Sequence, residues 1–205
     1  MEPRTPNQIL HGSDDPPQEL LALRAGSLTA MLDGLDLRYV RAGPFELVRR
    51  VYVAVRDHNW NTIPPVYQNL RVDAGDDRFL VTCDVRHRDG DMDFFWKASI
   101  TGDANGRIRY AMDGVAGSDF SYNRIGLCVL HPPRESAGQL FRGESPHGPV
   151  DGQLPRLIGQ QRFEHGLYVA LFPAVSALTI DLDPRRVVRF AFEGDLFEME
   201  DQRNW

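Results

Sequence analysis

No run of apolar residues in this chain approaches the about 18 that a helix needs to cross a bilayer, so no transmembrane helix is expected. The opening residues, MEPRTPNQILHGSDDPPQEL, lack the apolar stretch of a secretory signal. Cysteine is scarce. Cys83 and Cys128 each sit inside an apolar, β-like run, LVTCDV and IGLCVL, and read as buried free thiols, not as a disulfide framework. Together these absences point to a cytoplasmic setting. Positive charge is short as well: 23 Lys and Arg stand against 29 Asp and Glu, for a net charge of −6. The pairs Arg49–Arg50 and Arg185–Arg186 are too small to be the basic patch that nucleic acid requires. Neither nucleic acid nor a membrane is an expected partner.

Familiar catalytic signatures are missing too. The chain has no G-x-S-x-G, H-E-x-x-H, C-x-x-C, Walker loop or dinucleotide fingerprint. No cofactor and no metal site is expected. HRDGDMD (His87, Asp89, Asp91, Asp93) has carboxylates at metal-loop spacing, but its glycine is misplaced for a calcium loop. Strand alternation also sets Asp91 and Asp93 on one face and Met92 on the other, so the stretch reads as a charged hairpin.

What is present is alternation. After a polar lead-in over residues 1–19, short runs such as LLALRAG, SLTAMLDG and LDLRYVRAG follow one another with Gly or Asp-Gly between them. Closely spaced turn signals of this kind predict an antiparallel β meander. RFLVTCDVRH, MDFFWKASIT and RIRYAMDG, joined through Asp89-Gly90 and Asn105-Gly106, predict three antiparallel strands. Residues 132–166 loosen into Gly, Pro, Arg and Gln, with GQLFRG and GPVDGQ as a possible hairpin. PRLIGQQRFEHGLYVAL is the one helix candidate, weakened by Gly159 and Gly166. The fold class is therefore all-β: one large antiparallel β sandwich over residues 20–205, roughly a dozen strands, with little helix.

Two stretches could carry chemistry. RDHNWNTIPP follows the apolar strand VYVAV and gathers Arg56, Asp57, His58, Asn59 and Trp60. Paired donors and acceptors beside a flat aromatic suit a carbohydrate or polyol, and the same residues equally suit a strand-end turn. YNRIGLCVLHPP puts Arg124 and His131 at opposite ends of an apolar strand. His131 with Glu198 or Glu200 could imitate the His–Glu pair of mutarotase-type sugar epimerases.

Three stretches carry a resemblance. RVYVAVRDHNWNTIPP (50–65), YNRIGLCVLHP (122–132) and FEGDLFEMEDQRNW (192–205), supported by RAGSLTAMLDGLDLRYVRAG (24–43), resemble the N-terminal portion of the D-apionate lactonase family. The resemblance implies a galactose-mutarotase-like supersandwich and membership of longer bacterial enzymes of apiose catabolism. Those enzymes hydrolyse D-apionolactone, a small-molecule sugar lactone, and carry a barrel domain C-terminal to this portion. It also makes Trp205 look like a cut inside a longer protein, with Asp201, Gln202, Arg203 and Asn204 at a domain junction.

Three functions follow. In the first, the chain contributes to lactone opening: Glu200, Asp201, Arg203 and His131 are the catalytic candidates, and Asp57, His58, Asn59, Trp60, Arg124 and Trp205 the substrate-binding ones. In the second, it is an accessory sandwich to a catalytic barrel and is not sufficient alone. In the third, it is a stand-alone mutarotase-like epimerase or carbohydrate-binding module. The second ranks first.

Overall fold

Alternating apolar and polar residues, broken by turns that need a left-handed residue, lay out the chain as strands. The computed structural model describes residues 4–12, 14, 19–157, 162–165, 167–169 and 171–199. It divides into two compact units: Met1–Gly43 with Arg50–Cys128, and Pro44–Arg49 with Val129–Trp205.

In the first unit the polar lead-in carries a short helix, α1 (Pro6–His11). The Thr5 hydroxyl accepts from the Gln8 amide, and the Gln8 side chain accepts from the Thr5 amide at 3.1 Å, a reciprocal cap that closes the first turn. Six residues are too few for helical periodicity to show in sequence.

The meander follows as β1 (Leu21–Ala25), β2 (Leu28–Asp33), β3 (Asp36–Ala42) and β4 (Phe45–Asp57). Next come β5 (Pro65–Ala74), β6 (Phe79–Asp89), β7 (Met92–Gly102), β8 (Ile108–Ala116) and β9 (Tyr122–Leu130). They form two sheets, ordered β1-β2-β3-β4-β9 and β5-β6-β7-β8. The turn glycines Gly26, Gly34 and Gly90 all have positive φ, as the Gly and Asp-Gly signals required.

β6 buries Phe79, Val81, Cys83, Val85 and His87 on one face, and β7 buries Met92, Phe94, Trp96, Ala98 and Ile100. The other sheet answers with Leu23, Ala25, Ala30, Leu32, Leu37 and Val55. Apolar faces meeting in this way make a sandwich core. The Tyr110 hydroxyl donates to Leu35 O across it at 3.0 Å. Edge strand β5 departs from alternation, since all ten of its residues are exposed. Its register slips between Gln68 and Arg71, where Asn69 has φ 54°, a bulge that spoils a flat edge for further pairing.

The second unit contains α2 (Pro133–Ser136), β10 (Leu140–Ser145), β11 (Gly148–Gln153), β12 (Arg162–Glu164) and β13 (Leu167–Val169). β14 (Phe172–Val175), β15 (Ala177–Asp183), β16 (Arg186–Ala191) and β17 (Phe197–Met199) complete it. One sheet is ordered β11-β10-β15-β16, while β12 pairs with β13 and β14 with β17. β10 and β11 are the hairpin predicted from GQLFRG and GPVDGQ. The helix candidate instead contains β12 and β13. Its two glycines disfavour helix, and turn chemistry at His165, φ 53°, joins the strands. Phe141, Leu154, Val175, Leu178, Ile180 and Leu182 form the core, with Phe190, Phe197 and Met199 packed on it. Glu198 faces out, so the terminal strand alternates as its sequence predicts.

The fold class is all-β, with antiparallel sheets and two short helices among the described residues. No described helix is long and apolar enough to cross a membrane.

Candidate functional site

β4 stops because Asp57 takes over its hydrogen bonding. The carboxylate accepts from the amides of Asn59 and Asn61 at 2.8 and 2.9 Å, and from Asn61 Nδ2 at 2.8 Å. Asp57 N donates to Asn61 O, and Trp60 N donates to Asp57 O. The Asn61 side-chain hydrogen bond, joined by the two amides, holds the Asp57 carboxyl below its usual range. Asn59 Nδ2 donates to His58 Nε2 at 2.9 Å.

Trp60 sits in this turn at φ 69°, a left-handed backbone that a bulky residue adopts only when its surroundings impose it. The residue is 47% exposed. Arg56 Cζ lies 5.6 Å from the ring centre and Arg124 Cζ, from the start of β9, lies 5.5 Å from it. Both distances are within cation–π range.

The turn is anchored from behind. Ile63 is buried, its amide donating to Val55 O at 2.9 Å. Its carbonyl accepts from His87 Nδ1 at 2.8 Å, and Trp96 Nε1 donates to His87 Nε2 at 3.0 Å. Burial pushes the His87 imidazole below its ordinary pKa, with the Ile63 carbonyl opposing more weakly. The histidine of HRDGDMD thus belongs to the core, beside Val85 on the inward face of β6.

In front of the turn lies a cleft of about 630 Å³ lined by Asp57, His58, Asp89, Asp91, Asp119 and Phe120, among others. Its far wall is stitched to the β6–β7 hairpin. Ser118 Oγ donates to Asp91 O at 2.6 Å and accepts from Asp93 N at 3.1 Å, and Gly117 N donates to Asp93 O at 2.7 Å. Asp93 itself is taken by Arg86 and Arg88, whose hydrogen bonds hold it well below the usual carboxylate range. Among the described residues no group of His, Cys, Asp and Glu is placed to hold a metal ion.

Five sequence candidates therefore come together: Asp57, His58, Asn59 and Trp60 on one turn, with Arg124 brought over the indole. His131 belongs to the second unit. Its Nδ1 is sealed from solvent without a hydrogen-bond partner, and its ring meets Phe190 edge-on, with centroids 5.0 Å apart. Burial pushes it down to about 4, so it is neutral at pH 7. Glu200, Asp201, Arg203 and Trp205 lie outside the described residues. The sequence groups Arg56 with this cluster without giving it a binding role, and gives no sign of Asp119 and Phe120, which read only as a link between strands. Cys83 and Cys128 are both free thiols, as expected.

The arrangement offers acceptor carboxylates, a flat aromatic surface and two guanidinium groups, the equipment for recognising a polyol.

Among known proteins, the family described as "D-apionate lactonase, N-terminal domain" matches residues 8–205. The curated "D-apionate lactonase" of Brucella anthropi is 32% identical over 199 residues, which make up 96% of this chain. The match covers 31% of that relative, so the chain spans about a third of its length. No solved structure matches.

Proposed function

The chain belongs to the family of D-apionate lactonase N-terminal domains, and we propose that it serves as the accessory β-sandwich module of a longer enzyme that opens D-apionolactone to D-apionate. The observation that carries this reading is the coverage: nearly the whole chain aligns to under a third of a lactonase. In the reaction, water adds to the ester carbonyl and the ring oxygen leaves as a hydroxyl. The products are a carboxylate and one released proton. The step needs a base for the water and donors for the oxyanion.

Two features of the described residues support an accessory role. Asp57 spends its carboxylate on three N–H donors of its own turn. His131 is desolvated and without a partner at Nδ1. We assign the chemistry to a C-terminal barrel domain of the longer protein, and Glu200, Asp201, Arg203 and Trp205 to the junction with it. The buried and half-buried free thiols suit a cytoplasmic enzyme of apiose catabolism.

The test is proton release from D-apionolactone by a longer protein carrying this module, corrected for spontaneous hydrolysis. Opening of D-apionolactone in preference to other aldonolactones is the expected result. A long protein that opens other lactones and leaves this one untouched would overturn the substrate assignment.

A further inference from the structure

We propose that Arg56, Trp60 and Arg124 form a binding site for an open-chain polyhydroxy carboxylate, and that this site prefers the acid to its neutral lactone. The proposal deepens the lactonase reading and rests on it only for the choice of ligand.

The turn holds its aromatic at a conformational cost. Trp60 holds a left-handed backbone, φ 69°, that its bulk disfavours, and the turn leaves the residue half exposed. An aromatic that only filled space would be buried, as Trp96 is at 2% exposure. Strain of this sort persists where the surrounding structure imposes it, here through Asp57, Ile63 and His87.

Charge comes next. Two guanidinium groups stand within 5.6 Å of the same ring centre. Among the described residues Arg56 makes no ion pair, although Asp57 follows it directly, and its Nε has no hydrogen-bond partner. Elsewhere in this unit Arg38, Arg50, Arg86 and Arg88 are each paired with an aspartate. The Arg56 charge, paired with no carboxylate among the described residues, attracts an anion beside the exposed indole, and a planar guanidinium matches a carboxylate.

Polarity sets the ligand's direction. The segments that carry Trp60 and Arg124 also line the cleft, through Asp57 and His58 on one side and Asp119 and Phe120 on the other. Asp89, Asp91 and Asp119 supply the acceptors. A simple anion would be repelled there. A ligand with a carboxylate at one end and hydroxyls along the rest meets guanidinium first and acceptor carboxylates afterwards, with its C–H face on the indole. The lactone, lacking the carboxylate, forfeits the charged contact.

The experiment is an NMR titration of the uniformly ¹⁵N-labelled 205-residue chain with sodium D-apionate, D-apionolactone and the neutral polyol erythritol at constant ionic strength. Saturable shifts are expected at the Trp60 indole N–H and at the amides of residues 57–60 and 122–124, with the two neutral probes at least about tenfold weaker. Trp60→Asn keeps a residue that tolerates the left-handed backbone while removing the platform. It and Arg124→Ala should each weaken D-apionate binding about tenfold. Absence of saturable shifts, equal affinity for acid and lactone, or indifference to both substitutions would overturn the proposal. A longer protein that opens D-apionolactone while this chain binds no acid would refute this site and leave the lactonase reading standing. Acid binding here, with a longer protein inactive on the lactone, would do the reverse.

Discussion

Trp96 Nε1 donates to His87 Nε2 at 3.0 Å, in the same histidine whose Nδ1 reaches Ile63 O at 2.8 Å. Both ring nitrogens are committed, so the imidazole is neutral with its proton on Nδ1. One side chain thus ties the largest buried residue of β7 to the segment that carries Trp60.

Replacing that side chain separates packing from hydrogen bonding. His87→Phe fills the space but leaves the Trp96 N–H and the Ile63 carbonyl buried without partners, at about 2–4 kcal/mol for the two. Urea denaturation followed by tryptophan fluorescence measures it. A loss below about 0.5 kcal/mol would mean that water reaches both groups.

Acid should weaken the fold in a defined window. Burial lowers the folded-state pKa of both His87 and His131, the latter to about 4. A depressed histidine contributes stability in full above its unfolded value of about 6.5 and loses it as pH falls from there toward the folded value. Asp57, Asp93 and Asp183 are also depressed, but their contributions are lost below the ordinary carboxylate range. The melting temperature should therefore fall between pH 6.5 and about 4, opposed by Asp36, whose burial raises its carboxyl so that it adds stability as the pH falls through its folded-state value. His87→Phe should flatten that slope, and a melting temperature constant across the window would contradict the assignment.

Close packing at Gly102 makes a second stability prediction. A Cβ there would run into the Phe79 ring and come within 2.8 Å of the Ala25 Cβ. Gly102→Ala should cost about 1–3 kcal/mol through overpacking. Gly126→Ala is the control, since nothing lies within 4 Å of that Cβ. Equal melting temperatures for the two variants would show that the sheets yield freely.

Asp57 acts as a turn former, and amide exchange can test it. Asp57→Ala removes the acceptor for the amides of Asn59 and Asn61, so both should lose protection from hydrogen exchange. Asp57→Asn keeps an acceptor oxygen and should preserve most of it. Equal exchange in both variants would place the turn's stability elsewhere.

Much of this was legible in the sequence wherever a period of two met a turn signal. RFLVTCDVRH and MDFFWKASIT became β6 and β7, joined at Asp89-Gly90 as Asp-Gly requires. Alternation also places His87 on the inward face with Val85, although its charged neighbours drew the eye to a metal loop. Partnership across the fold was not legible. Alternation says which face a residue takes, not which residue it meets, so Arg124 beside Trp60 emerged only in three dimensions. The sealed His131 Nδ1 was not legible either: an apolar strand end signals burial, but not that the ring nitrogen is left without a partner. β12 and β13, three residues each, lack the length that makes a pattern readable.

The central claim is that this β module supports a reaction carried out elsewhere in a longer protein. Its most direct test is the rate of D-apionolactone opening with increasing amounts of the isolated 205-residue chain, read by proton release. The account predicts the spontaneous rate at every concentration. A rate that rises in proportion to the chain, and survives repurification, would contradict it and place the catalytic groups among these 205 residues.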